Sequence, residues 1–119
     1  MEFNQYNTTV QQWIHTVLEN RETNADVVLE CCRDIIAYGR ETDDPKLMGF
    51  GFFYGGEIYY ELNDGAHFFH MMTEALTYLD RAEEWELVVR CYNFLGIASM
   101  SRGNPSLALD YYMNGLKDS

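Results

Sequence analysis

The chain repeats itself at a spacing of 40 residues, and that spacing constrains its fold more than any other feature. Gly56 and Gly96, Leu76 and Leu116, and the turn residues Asn24, Asp64 and Asn104 all stand 40 apart. Laid over one another without gaps, residues 57–76 match 97–116 and residues 24–56 match 64–96 in hydrophobic phase and turn chemistry, with few identities. Periods of 20–50 residues belong to architectures in which one supersecondary unit stacks on the next.

The unit is clearest at Arg90–Leu116. Tyr92, Leu95, Ala98 and Ser99 recur at helical spacing. Gly103 suits a left-handed C-terminal cap, Asn104 an N-cap and Pro105 the first helical position. Leu107, Ala108, Tyr111, Tyr112 and Leu116 form a second apolar stripe. Two antiparallel helices follow.

These residues resemble a tetratricopeptide (TPR) repeat. The family's large residue, Leu-Gly pair, small residue, turn glycine, alanine, aromatic and closing leucine fall on Tyr92, Leu95-Gly96, Ser99, Gly103, Ala108, Tyr112 and Leu116. Gly115 replaces the usual alanine and Ser99 the usual aromatic. The 40-residue period exceeds the 34 of a standard repeat, which points to longer helices or longer links.

The expected architecture is all-α, a TPR-like α-α superhelix of six helices in three antiparallel hairpins (units 8–40, 46–80 and 84–117) forming one domain, 1–119. Individual helices are expected at Thr8–Glu19, Ala25–Gly39, Lys46–Leu62, Ala66–Asp80, Glu84–Ser101 and Pro105–Lys117. The segments NRETN (20–24), Glu41–Pro45 and Asn63-Asp64-Gly65 make turns, with Asp44 as N-cap before Pro45. FGFFYGG within the third helix is a weak helix former. A strand over 49–60 is the alternative, and the matching phase of 89–100 decides for helix.

Composition narrows the partners. Nineteen acidic residues against eight basic ones give a formal net charge of −11. Nucleic acid and anionic membrane surfaces are recognised through Lys/Arg clusters, so both are disfavoured. A basic or apolar protein or peptide fits better. Nine tyrosines and seven phenylalanines can fill helix seams or line a groove. Cys31, Cys32 and Cys91 have no framework spacing and read as buried free thiols in a reducing cytosol. The N-terminal MEFNQYNTTV lacks signal-peptide character, and the apolar run 47–56 is half a membrane span. A cytoplasmic location is expected.

In TPR proteins the first helix of each hairpin lines the concave ligand face. The resemblance therefore implies a groove of Trp13 (with Val17 and Asn20), Phe50, Phe53, Glu57, Tyr60, Glu61, Arg90, Asn93, Ile97 and Met100 (with Ser101). Such a surface suits a peptide with apolar anchors and a positive charge. His67, His70 and Glu74 share one side of a helix at ligand spacing, but no further ligand is visible and no metal or other cofactor is assigned. Asp43-Asp44 and Glu83-Glu84 sit where helix N-termini favour negative charge. No nucleophile motif, phosphate loop or dinucleotide fingerprint appears, so catalysis is not expected.

An apolar Tyr111-Tyr112-Met113 run lies in the last helix, where arrays usually carry a polar cap. Continuation of the chain, or a second copy covering this end, is expected. The whole chain is also similar to N-terminal TPR-like regions of bacterial GGDEF-type diguanylate cyclases. That resemblance implies a non-catalytic sensory or interaction module regulating an attached output domain. The alternative is an oligomerisation scaffold, and a small metalloenzyme is the third class.

Overall fold

A computed structural model describes residues 1–118 of the chain. Among them are six helices and no strand: α1 Thr8–Asn20, α2 Ala25–Glu41, α3 Pro45–Glu61, α4 Gly65–Arg81, α5 Trp85–Ser101 and α6 Pro105–Asp118. Every expected helix is present, with ends displaced by two residues at most. Each helix packs on the next in sequence, and the molecule measures 44 × 28 × 21 Å. Among the described residues, no helix is long and apolar enough to cross a membrane.

From α2 onward the helices start at 25, 45, 65, 85 and 105, one every twenty residues. The joints explain this regularity. Each has three residues, and the middle one is left-handed: Asp43 (φ 51°), Asn63 (60°), Glu83 (57°) and Gly103 (75°). The third residue of the joint donates its N–H back to the carbonyl five positions earlier. These bonds run from Asp44 to Gly39 (2.8 Å), Asp64 to Tyr59 (2.9 Å), Glu84 to Leu79 (3.0 Å) and Asn104 to Ser99 (2.9 Å). This is the Schellman closure, which satisfies carbonyls that a helix end leaves free.

The same third residue opens the following helix. Asp44, Asp64 and Asn104 accept from the N–H of Leu47, His67 and Leu107. Glu84 makes no such bond, because its extra methylene takes the carboxylate past the N–H groups.

Glu83 combines two unfavourable choices, a left-handed backbone with a β-carbon and a negative charge at the C-terminal end of α4. We expect Glu83→Gly to stabilise the protein by about 1 kcal/mol. Chemical denaturation measures this directly, and a loss of stability would show that Glu83 is held by contacts absent from its exposed position.

The core centres on α3, where every residue from Leu47 to Ile58 is buried. Such a helix must be apolar all round, which accounts for its aromatic content. Its glycines let the neighbouring helices come close. A β-carbon on Gly51 would lie 2.6 Å from Ile36 Cγ1 of α2, and one on Gly49 would lie 2.7 Å from Leu79 Cγ of α4. The helix reading of 49–60 therefore holds. Close packing on two sides offsets the weak propensity of FGFFYGG.

Candidate functional site

One charged residue, Glu57, stands between Lys46 and Glu61 in the otherwise apolar α3. Its side chain is only 10% exposed. A carboxylate so placed needs partners, and it has two. Arg21, immediately after α1, donates from Nε to Oε1 (2.8 Å) and from a terminal nitrogen to Oε2 (2.7 Å). Arg90 of α5 donates to Oε2 at 3.4 Å. The first contact is a bidentate fork, the stronger geometry.

Aromatic rings lie beneath both guanidinium groups. Arg21 lies 5.1 Å from the Tyr54 ring centre, and Arg90 lies 4.9 Å from that of Phe53. Burial works against the charge on Arg21, but the hydrogen bonds and charge of Glu57 outweigh it and raise its pKa. The knot ties the end of α1 and the body of α5 to one side chain of α3.

Beside the knot, residues preceding α1 cross α3. The Phe3 ring meets Phe50 edge-on at 5.1 Å. Lys46 sits 4.9 Å above Phe3 and donates to the Glu2 carbonyl. The Tyr6 hydroxyl donates to Asp44 at 2.8 Å. Burial first, and then this bond to a carboxylate, push the Tyr6 pKa well above its ordinary value.

The expected groove residues therefore divide. Phe50 and Phe53 are 1% and 0% exposed, so they are core residues and not groove residues. Phe50 is covered by Phe3, while Phe53 lies between Arg90 and Phe94. Val17 is fully buried, Glu57 is engaged in the knot, and Trp13 packs edge-on against Tyr38 in the α1–α2 seam. Of the rest, Tyr60 is half-buried against Phe68 and Phe94, Asn20 is half-buried, Arg90 is engaged in the knot, and Glu61, Asn93, Ile97 (43%), Met100 (54%) and Ser101 are exposed.

Two open clefts adjoin Glu61. One, of about 450 Å³, includes Tyr60, Asp64, Phe68, Ser101 and Arg102. The other, of about 550 Å³, includes Arg21, Glu22, Asn24 and Leu62.

His67 and His70 do other work. The His67 ring nitrogen lies 2.8 Å from the Asp64 carboxylate, and the ring stacks on Tyr59. His70 meets Phe52 edge-on. The His67 backbone N–H, and then its side chain, hold the Asp64 carboxyl below the usual carboxylate range. Among the described residues, no group of three or more His, Cys, Asp or Glu is gathered to hold a metal ion, and His67, His70 and Glu74 do not make one. All three cysteines are free thiols. Cys32 and Cys91 are buried, with the Cys91 pKa pushed up to about 12 by burial, while Cys31 is half-buried.

Sequence reasoning did not single out Arg21, which fell within a turn. The available signal was Glu57 itself, a lone charge in an apolar helix that requires a cation from elsewhere. No family model, curated protein or solved structure matches the chain.

Proposed function

We propose that the chain is a non-catalytic interaction module, a TPR-like superhelix with a 40-residue hairpin period. It takes a protein or peptide segment on the face shared by α1, α3 and α5. Occupancy there changes hairpin stacking and regulates an attached output domain of the diguanylate cyclase kind. The observation that carries the reading is the accessible set Tyr60, Glu61, Asn93, Ile97 and Met100, flanked by two clefts.

The charge of that surface favours a basic segment. Glu57 is already neutralised by two arginines and Asp64 is engaged by His67, so the carboxylates left to meet a ligand are those at the rim, Glu22 and Glu61. A peptide with an apolar anchor next to Lys or Arg fits. Titration of an array of such peptides, followed by calorimetry, tests this. For any binder, Tyr60→Ala and Glu61→Lys should each weaken affinity about tenfold or more. A true binder whose affinity neither substitution changes removes the site.

A second reading is favoured by α6. Leu109 (58%), Met113 (54%) and Leu116 (74%) form an exposed apolar stripe at helical spacing, which suits an oligomerisation scaffold. Sedimentation at increasing concentration separates the two readings, since a persistent monomer rules out the scaffold.

A further inference from the structure

The basic residues of this acidic chain are few, and most are accounted for. Arg21 and Arg90 hold Glu57, Arg81 lies over Tyr78, Arg102 over Phe69, and Lys46 over Phe3. Of the eight, Arg33, Arg40 and Lys117 have no ion pair, side-chain hydrogen bond or ring contact among the described residues. Two of these three line the same cleft.

That cleft, about 300 Å³, lies between α2 and α4 with α3 as its floor. Phe52 and Tyr59 provide aromatic surface, Ile36 and Met71 line it further, and Arg33, Arg40 and His70 supply the polar groups. Among the described residues, no Asp or Glu lines it. Glu30, Asp34 and Glu41 are on α2 and Glu74 is on α4, all outside the lining. A basic lining therefore runs against the composition of the whole chain.

Tyr59 also borders the cleft of about 450 Å³ beside Glu61, but Arg33, Arg40 and His70 line this cleft and neither of the clefts at Glu61. Tyr59 follows Glu57 by two residues, a rotation of about 200° around a helix, so it belongs to the opposite side of α3. Small-molecule sites have this general form, concave and mainly apolar with a few polar groups that fix orientation. Arg33 and Arg40 stand seven residues apart on α2, about 10 Å along its axis. Two guanidinium forks lining the same cleft as aromatic residues match an anion attached to a flat apolar body.

We propose that this cleft binds a small amphipathic anion. The apolar or aromatic part lies on Phe52 and Tyr59, and a carboxylate or phosphate is taken by Arg33 and Arg40, with His70 at the opposite wall.

Amide-resolved NMR titration of the whole chain tests the proposal, using phenyl phosphate, benzoate, inorganic phosphate, benzyl alcohol and benzylamine as probes. Phenyl phosphate, benzoate or both should shift the amides of Arg33, Arg40 and His70 saturably, and whichever binds more tightly identifies the preferred anion. Benzylamine, benzyl alcohol and inorganic phosphate should bind at least about tenfold more weakly. The double variant Arg33→Gln/Arg40→Gln changes two exposed side chains and should keep the wild-type melting temperature while losing about tenfold or more in affinity. Glu61→Lys, on the other face, should leave it unchanged, which keeps this test separate from that of the peptide site.

Equal binding of benzylamine or benzyl alcohol would reduce the cleft to an apolar hollow and overturn the proposal. So would inorganic phosphate binding as well as phenyl phosphate, an unaffected double variant, or no saturable shift with either aromatic anion up to about 10 mM.

Discussion

Glu57→Gln destabilises the protein by about 3 kcal/mol, measured by urea denaturation at neutral pH. Removing one member of a buried ion pair costs about 3–5 kcal/mol, because a charge is left without compensation. The lower end applies here, since the Arg21 and Arg90 side chains keep 28% and 35% exposure and water can reach both.

The two arginines are not equivalent. Arg21 makes the short two-point fork and Arg90 a single 3.4 Å contact, so Arg21→Met costs more than Arg90→Met. Replacing all three with Met, Leu and Met returns stability close to wild type, because apolar groups of similar volume need no compensation. A loss below about 1 kcal/mol for Glu57→Gln would show that solvent already screens the knot.

Gly49→Ala is the second large effect, a loss of about 2 kcal/mol despite the higher helix propensity of alanine. Propensity alone predicts a gain of about 1 kcal/mol. Against it, the new methyl would lie 2.7 Å from Leu79 Cγ and 3.1 Å from the Leu79 backbone nitrogen. Leu79 is fully buried and branches at the atom in contact, so α3 and α4 must separate, and overpacking of this kind costs about 1–3 kcal/mol. Gly115→Ala is the control. Its nearest neighbour would be Tyr92 Cβ at 3.2 Å, a tight contact that a shift of a few tenths of an ångström relieves, so the propensity gain roughly offsets the strain and the change should be close to neutral. A stable Gly49→Ala variant would mean that the α3–α4 seam is looser than its geometry.

Much of the fold was legible because its determinants are local. Asp44-Pro45, Asn63-Asp64-Gly65 and Gly103-Asn104-Pro105 state where helices stop and start within a few residues of chain, and helix ends followed from them. The left-handed turn at Glu83 was less legible, since neither glycine nor asparagine marks it. The accessible face was legible only in part. Phe50 and Phe53 share the helical phase of Glu57 and Tyr60, but Phe3 and Arg90 cover them from 47 and 37 positions away. Hydrophobic phase shows which side of a helix a residue occupies. It does not show what else reaches that side, and for the same reason the pairing of Arg21 with Glu57, 36 positions away, is not legible from the chain.

The three-residue joints have a consequence for how this chain can change. Asp44, Asp64, Glu84 and Asn104 each serve twice, closing one helix through the backbone N–H and standing at the entrance to the next. No slack residue separates the two roles. Inserting or deleting one amino acid within a helix turns everything beyond it by about 100°, which carries a buried stripe towards water. Single-residue insertions and deletions should therefore be excluded from α2 to α6. Length variation should instead come in whole helix-and-joint steps of twenty residues.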